Sequence, residues 1–269
     1  MKEFKNKVAV VTGASSGIGS AIARCCAKEG MSLVIADINE DRLLFTEKEI
    51  RNMGVKVISV KTDVSKLEDV ERLADLAYSK FGSVHLLCNN AGVIHVAPIL
   101  EHTINDWKWV LDVNLFGVIN GINIFAPLMK SQLFDCHIVN TVSTASFTTG
   151  PGLAAYKVSK HAVLALTEIL FSEMKGTNVG VSVLCPGWVD TNIIHAEKIR
   201  PIKFKNKIDF KSKDLDLNRQ KFIDAVMKGA DPEEIADLLI QGIKKGMFYI
   251  ITDHSFKDKF LERVDNILK

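Results

Sequence analysis

Tyr156 and Lys160 stand four residues apart in the run Tyr156-Lys-Val-Ser-Lys160, a spacing that puts both side chains on one face of a helix. A free tyrosine has a pKa of about 10 and is a phenol at neutral pH. An ammonium beside it favours the phenolate and lowers that value. Such a pair can give a proton to a carbonyl oxygen or take one from an alcohol. Ser143 ends an apolar strand thirteen residues before Tyr156 and can hydrogen-bond the same oxygen. Asn114 interrupts the apolar stripe Trp107, Val110, Leu111, Leu115, Val118, Ile122 and Phe125. A buried amide needs a partner or a task, and Asn114 can complete a water-linked proton path through Lys160.

Those side chains need a frame, and it begins near the start of the chain. Val8-Ala-Val-Val-Thr12 reads as a buried strand. It runs into Gly13-Ala-Ser15-Ser16-Gly17-Ile18-Gly19 and then into a helix rich in Ala, Ile and Cys. A helix N-terminus attracts phosphate, and glycine lets a pyrophosphate approach the backbone closely. The spacing is Gly-x-x-x-Gly-x-Gly rather than the better-known Gly-x-Gly-x-x-Gly. The next strand, Leu33 to Asp37, ends in an acid eighteen residues past Gly19, where a carboxylate can accept both ribose hydroxyls and repel a 2′-phosphate. No Arg or Lys follows at once or lies inside the glycine loop. The pattern therefore favours NAD, with NADP as the alternative.

Further strands are expected at Val55–Val60, Val84–Asn89, His137–Val142, Val179–Cys185 and Phe248–Thr252, separated by helices. Asp63-Val64 follows the third strand, with Asp63 placed to meet adenine or to form a turn and Ser65 placed to cap the helix from Lys66 to Phe81. Asn89-Asn90-Ala91-Gly92 follows the fourth strand, where small residues let a ligand pass over the backbone. Pro127 predicts a kink or an early stop in the long helix from Trp107 to Met129. Alternating strands and helices predict a doubly wound α/β sheet. Residues 192–228 change composition and read as a partly helical substrate lid rather than a second domain, so 1–269 forms one domain.

The bulk composition excludes other classes. With 34 basic and 32 acidic residues the net charge is +2, too small to imply a nucleic-acid partner. No apolar run near 18 residues is evident, so no membrane span is expected, and the charged N-terminus lacks a signal-peptide core. Five cysteines, four of them (Cys25, Cys26, Cys88, Cys185) in apolar segments, read as buried reduced thiols and a cytoplasmic protein. No Cys/His spacing suits a metal site.

Taken together, the glycine turn Thr12–Gly19, Asp63-Val64, Asn89–Gly92, Asn114, Ser143, Tyr156 with Lys160, and Pro186-Gly187 with Thr191 resemble the short-chain dehydrogenase/reductase family over nearly the whole chain. The resemblance implies a single Rossmann-type domain with about seven parallel strands and helices on both faces. It implies Asn114, Ser143, Tyr156 and Lys160 as the catalytic four, with Tyr156 as acid/base and with Tyr156 and Lys160 also on the cofactor. Gly13, Ser15, Ser16, Gly17, Ile18, Gly19, Asp37, Asp63, Val64, Asn90, Ala91 and Gly92 would bind the dinucleotide. Pro186, Gly187, Val189 and Thr191 would touch its carboxamide and phosphates.

The expected reaction is metal-free hydride transfer between NAD(H) and a hydrophobic secondary alcohol or ketone, steroid-like or polyketide-like. The lid carries Ile193, Ile194, Ile199, Ile202, Phe204, Phe210 and Phe222. Its lysines, Lys198, Lys203, Lys205 and Lys207, could meet a carboxylate or a thioester carrier. A nucleotide-binding sensor without turnover is the alternative, which the intact catalytic set argues against. Phe116, Ile119, Leu164 and Leu166 fit helix pairing in a homodimer or homotetramer. The C-terminus lacks the Asp-Gly-Gly ending of many tetrameric ketoreductases in that family.

Overall fold

The computed structural model describes residues 1–206 and 213–269, with the backbone alone for 213–218. Lys207 and Phe210 of the expected lid therefore lie outside the described residues. Seven parallel strands form one sheet in the order β3-β2-β1-β4-β5-β6-β7. They are β1 (Val8–Thr12), β2 (Ser32–Asp37), β3 (Val57–Lys61), β4 (Leu86–Asn89), β5 (Cys136–Thr141), β6 (Val179–Cys185) and β7 (Tyr249–Ile251). The chain winds outward from β1 to β3, then returns to start β4 on the other side of β1. That reversal opens a crevice at the carboxyl ends of β1 and β4, the place where open α/β sheets bind ligands.

The strands read as continuous apolar runs because both faces of the sheet are covered. Alternate residues serve opposite cores. Ala9, Val11, Leu33, Ile35, Leu86 and Cys88 pack with α1 (Gly17–Lys28) and α8 (Pro232–Lys244). Val8, Val10, Val34, Ala36 and Leu87 pack with α3 (Leu67–Phe81), α5 (Gly117–Lys130) and α6 (Ala154–Glu173). All five cysteines are buried and unpaired.

Several local expectations change. Ser65 does not cap α3: its hydroxyl donates to Asp63 Oδ1 at 2.6 Å, and Lys66 holds the cap position without a side-chain bond. The acid six residues on, Asp69, takes the Asp63 N–H instead, at 2.9 Å. Pro127 sits inside α5, which runs on to Lys130; near a helix end a proline forfeits little, and the cap still closes through Ser131 N–H to Pro127 O at 3.1 Å. Leu164 belongs to this chain's own core at 8% exposure, whereas Phe116 is half exposed.

The long helix is not uniform. It comprises α4 (Ile104–Leu111), a single π turn (Asp112–Phe116) and α5. Together Ile104–Lys130 is long and apolar enough to cross a bilayer by length and composition alone, contrary to expectation, but half of its most apolar window is buried within the fold. Its buried half packs into this protein's own core.

Candidate functional site

The carboxyl ends of β1 and β4 are tied together by Thr12. Its hydroxyl accepts the backbone N–H of Asn90 and Ala91 at 3.0 and 3.1 Å, while Asn90 Nδ2 donates to Thr12 O at 3.1 Å. Gly13 turns the chain with φ +68°, and a Cβ there would lie 2.8 Å from Ala91 Cα. A Cβ on Gly19 would lie 2.1 Å from Gly13 O, so no side chain fits between turn and helix. Helix α1 starts with no side-chain cap at Ser16. Its first N–H groups are left free to bind an anion. This bare, glycine-walled helix start fits a dinucleotide pyrophosphate.

Asp37, at the end of β2, does not cap α2 (Glu40–Asn52); Asn39 does, accepting from Arg42 N at 3.2 Å. The Asp37 carboxylate instead accepts from Ser15 N at 3.1 Å and Asn39 N at 2.9 Å. It is thereby fixed beside the glycine loop. Ile38, Asn39 and Arg42 line the same corner and were not singled out by spacing. Of the expected cofactor residues, Gly13, Ser15, Ser16, Gly17, Ile18, Asp37, Asp63, Val64, Asn90, Ala91, Gly92, Pro186, Gly187, Val189 and Thr191 line one cleft of about 780 Å³. Gly19 lies behind it, where its role is packing.

Ser143, Tyr156 and Lys160 line the same cleft farther along. Ser143 accepts from Ala145 N at 3.1 Å, which aims its hydroxyl. The buried Lys160 ammonium donates to Thr141 O at 2.8 Å and sits 5.7 Å from the centre of the Tyr156 ring. Gly92 faces this group, and a Cβ there would meet Lys160 Nζ at 3.6 Å.

Asn114 does not line the cleft. It is fully buried in the π turn. Its Oδ1 accepts from Val93 N at 2.8 Å, and its Nδ2 donates to Val93 O at 2.9 Å and Ser159 Oγ at 3.1 Å. The carboxamide thus stitches the loop after β4 to α6. Single π turns commonly mark functional sites, and here the irregular turn presents this amide.

The expected acidification of the phenol is not what the protein alone provides. Burial raises the Tyr156 pKa above its ordinary value, opposed by hydrogen bonding from Ser143. Burial also pulls Lys160 down to about 8. Desolvation is the largest influence on both groups, and the Lys160 ammonium is held by Thr141 O. A lysine whose native pKa lies below its unfolded value adds stability as pH rises from about 8 toward the ordinary lysine range. Lys160→Met is therefore expected to raise the Tm of the cofactor-free protein at pH 7 and to abolish that alkaline gain. A lowered Tm would show that the Thr141 bond dominates.

The other half of the cleft is apolar, lined by Val93, Ile94, Val96, Trp109, Phe204 and Phe222. Lys198 and Lys203 also line it, while Lys205 does not. The segment after β6 is anchored by a polar cluster that sequence reasoning missed. Arg200 pairs with the fully buried Asp106 at 2.5 Å and with Glu197 at 3.4 Å. It also stacks 4.9 Å over Trp109. His95 bonds Glu197 at 2.6 Å. The one sequence signal was Thr103-x-x-Asp106, which forms a capping box at α4. The C-terminal helix α9 (Lys257–Leu268) closes the remaining side, with Phe256 and Lys259 in the lining.

A family model described as short chain dehydrogenase matches residues 7–200. Over 272 aligned residues, 100% of this chain and 95% of the relative, the sequence is 33% identical to the CLA biosynthesis dehydrogenase/reductase of Lactiplantibacillus plantarum. Over 193 residues, 71% of this chain and 70% of the relative, it is 38% identical to a 1-deoxy-11-beta-hydroxypentalenate dehydrogenase of Streptomyces exfoliatus. A solved short chain dehydrogenase/reductase from Burkholderia phymatum, in complex with NAD, matches with TM-score 0.97 and 41% identity, covering 100% of this chain and 96% of that one.

Proposed function

The chain belongs to the short-chain dehydrogenase family and is an oxidoreductase, and from that premise we propose that it moves a hydride between NAD(H) and an apolar secondary alcohol or ketone. The observation that carries this reading is the convergence of Ser143, Tyr156 and Lys160 in one cleft with the glycine turn and Asp37. A bound nicotinamide supplies or accepts the hydride. The protein's own groups handle the proton and the position. Ser143 and the Tyr156 hydroxyl hold the substrate oxygen, and Tyr156 gives that oxygen its proton in reduction or removes it in oxidation. Lys160 stabilises the phenolate that reduction leaves. Asn114 is a positioning residue, holding the Val93 backbone and α6 in register. The walls of Trp109, Phe204 and Phe222 exclude water and favour an apolar substrate.

NADH consumption with a panel of ketones tests the reaction. Cofactor binding with no oxidation across the panel would favour a sensor. Asp37 supports NAD, since a carboxylate at the ribose end repels a 2′-phosphate. Asp37→Ala is expected to narrow the NAD preference by about tenfold or more, read as the ratio of kcat/KM values for NADH and NADPH. Arg42, in the same corner, favours the second reading, an NADPH-linked ketoreductase; a wild-type preference for NADPH would establish it. A homodimer or homotetramer is supported by the exposed Phe116, Val158 and Ile169, and sedimentation of the full chain measures it.

A further inference from the structure

Two basic pairs face each other beside the mouth of the cleft. On α6, Lys157 and His161 are one turn apart, and His161 Nδ1 donates to Lys157 O at 2.9 Å. On α9, Lys259 and Arg263 are likewise one turn apart. Arg263 Nη1 donates to His161 Nε2 at 3.1 Å and to Phe147 O at 3.3 Å. A His ring that donates through Nδ1 and accepts through Nε2 is neutral. The two helices are clamped at this level by Phe147, stacked 4.8 Å from Phe256 and edge-on at 5.7 Å to Phe260. One turn nearer the cleft, the same helical spacing brings Lys157 and Lys259 onto one wall, and both line the cavity.

Among the described residues no acid lies within ion-pair distance of either lysine. Asp253, the acid that lines this side of the cleft, is engaged with Ser255 at 2.8 and 2.7 Å. Lys157 is partly buried, and both burial and the charge of Lys259 lower its pKa. Two neighbouring ammonium groups with no ion-paired acid favour an anionic ligand between them. Of the other cleft lysines, Lys203 lies 4.6 Å over the Phe204 ring; Lys259, like Lys198, is exposed at the surface, while Lys157 is half-buried.

We propose that Lys157 and Lys259 form a carboxylate-binding site at the mouth of the cleft, so that the substrate is an apolar hydroxy or oxo acid held by its acid end. The proposal rests on the oxidoreductase reading and narrows its substrate class. It adds no chemical step. The carboxylate is bound as the anion, while the apolar body lies toward Trp109 and Phe222 and the oxygen to be reduced or oxidised lies at Tyr156.

The test uses the full chain loaded with NAD⁺ and two probes of one size, octanoate and octanamide, titrated calorimetrically at low ionic strength. Octanoate is expected to bind about tenfold tighter, as two charge contacts at low ionic strength allow. Lys157→Gln with Lys259→Gln should bring the two probes within about twofold, and Lys157→Arg with Lys259→Arg should keep the acid preference. Equal binding of the two probes to the wild type would overturn the proposal. So would a preference that survives in the glutamine variant, or octanoyl coenzyme A binding tighter than octanoate through its phosphates. The NAD⁺ titration in each variant reports an intact cofactor cleft. Failure of hydride transfer with every ketone would count against the alcohol/ketone reading alone, because the binding ratio of the two probes is measured independently of turnover.

Discussion

Tyr156→Phe is expected to lower kcat by about 10²–10⁴-fold, the usual contribution of a positioned general acid or base. The substitution keeps the ring that packs beside Lys160 and removes one hydroxyl. Burial raises the pKa of that phenol in the cofactor-free protein, so at neutral pH it is protonated, in the form that can give a proton but not take one. Reduction should therefore hold its rate across neutral pH, and alcohol oxidation should speed up as pH rises toward the alkaline range. The phenylalanine variant should lose that slope with the rate, while its Tm holds. KM should change far less than kcat, because the lost interaction acts in the transition state. Steady-state kinetics in both directions checks it, and a loss below about tenfold would mean that another group moves the proton.

Arg200→Met is expected to cost roughly 3–5 kcal/mol of stability, the range for stripping one partner from a buried ion pair. Asp106 is fully buried, and Arg200 is 6% exposed. Burial pushes the Asp106 carboxyl up, but bonds from Thr103, the nearby His95 and the Arg200 guanidinium outweigh it, and the net shift is downward. A carboxylate whose native pKa lies below its unfolded value adds stability above the ordinary value of about 3.9, and that stability is lost as pH falls through the native value. Asp106→Asn should thus flatten the acid limb of the stability curve. Adding Asp106→Asn to Arg200→Met should recover part of the loss, since no bare charge then remains buried. Chemical denaturation of all three variants measures the cycle; a drop of less than about 1 kcal/mol for Arg200→Met would mean that water reaches the pair. The cluster joins α4 to the segment after β6, so weaker substrate binding should accompany the lost stability.

Much of the site is local in the chain and therefore legible in it. A strand that runs into glycines and then a helix can be read from Val8 to Ala27 without any tertiary information. Parallel strands all point the same way, so residues read at strand ends, such as Gly13, Asp37, Asn90, Ser143 and Pro186, had to share one edge of the sheet. The helical period alone placed Tyr156 with Lys160.

Other features depend on contacts through space, and the fold decided them. The Arg200–Asp106–Glu197–His95 cluster joins residues about a hundred positions apart, and no local pattern pairs them. The π turn carries Asn114, whose amide bonds Val93 and Ser159; by period alone the segment reads as plain helix. Helix α9 reaches the cleft because Phe147 and Arg263 seat it there. The direction of the Tyr156 shift was misjudged from sequence for the same reason. Spacing measures the nearness of a charge, but desolvation is set by everything folded around it, and here desolvation is the larger effect.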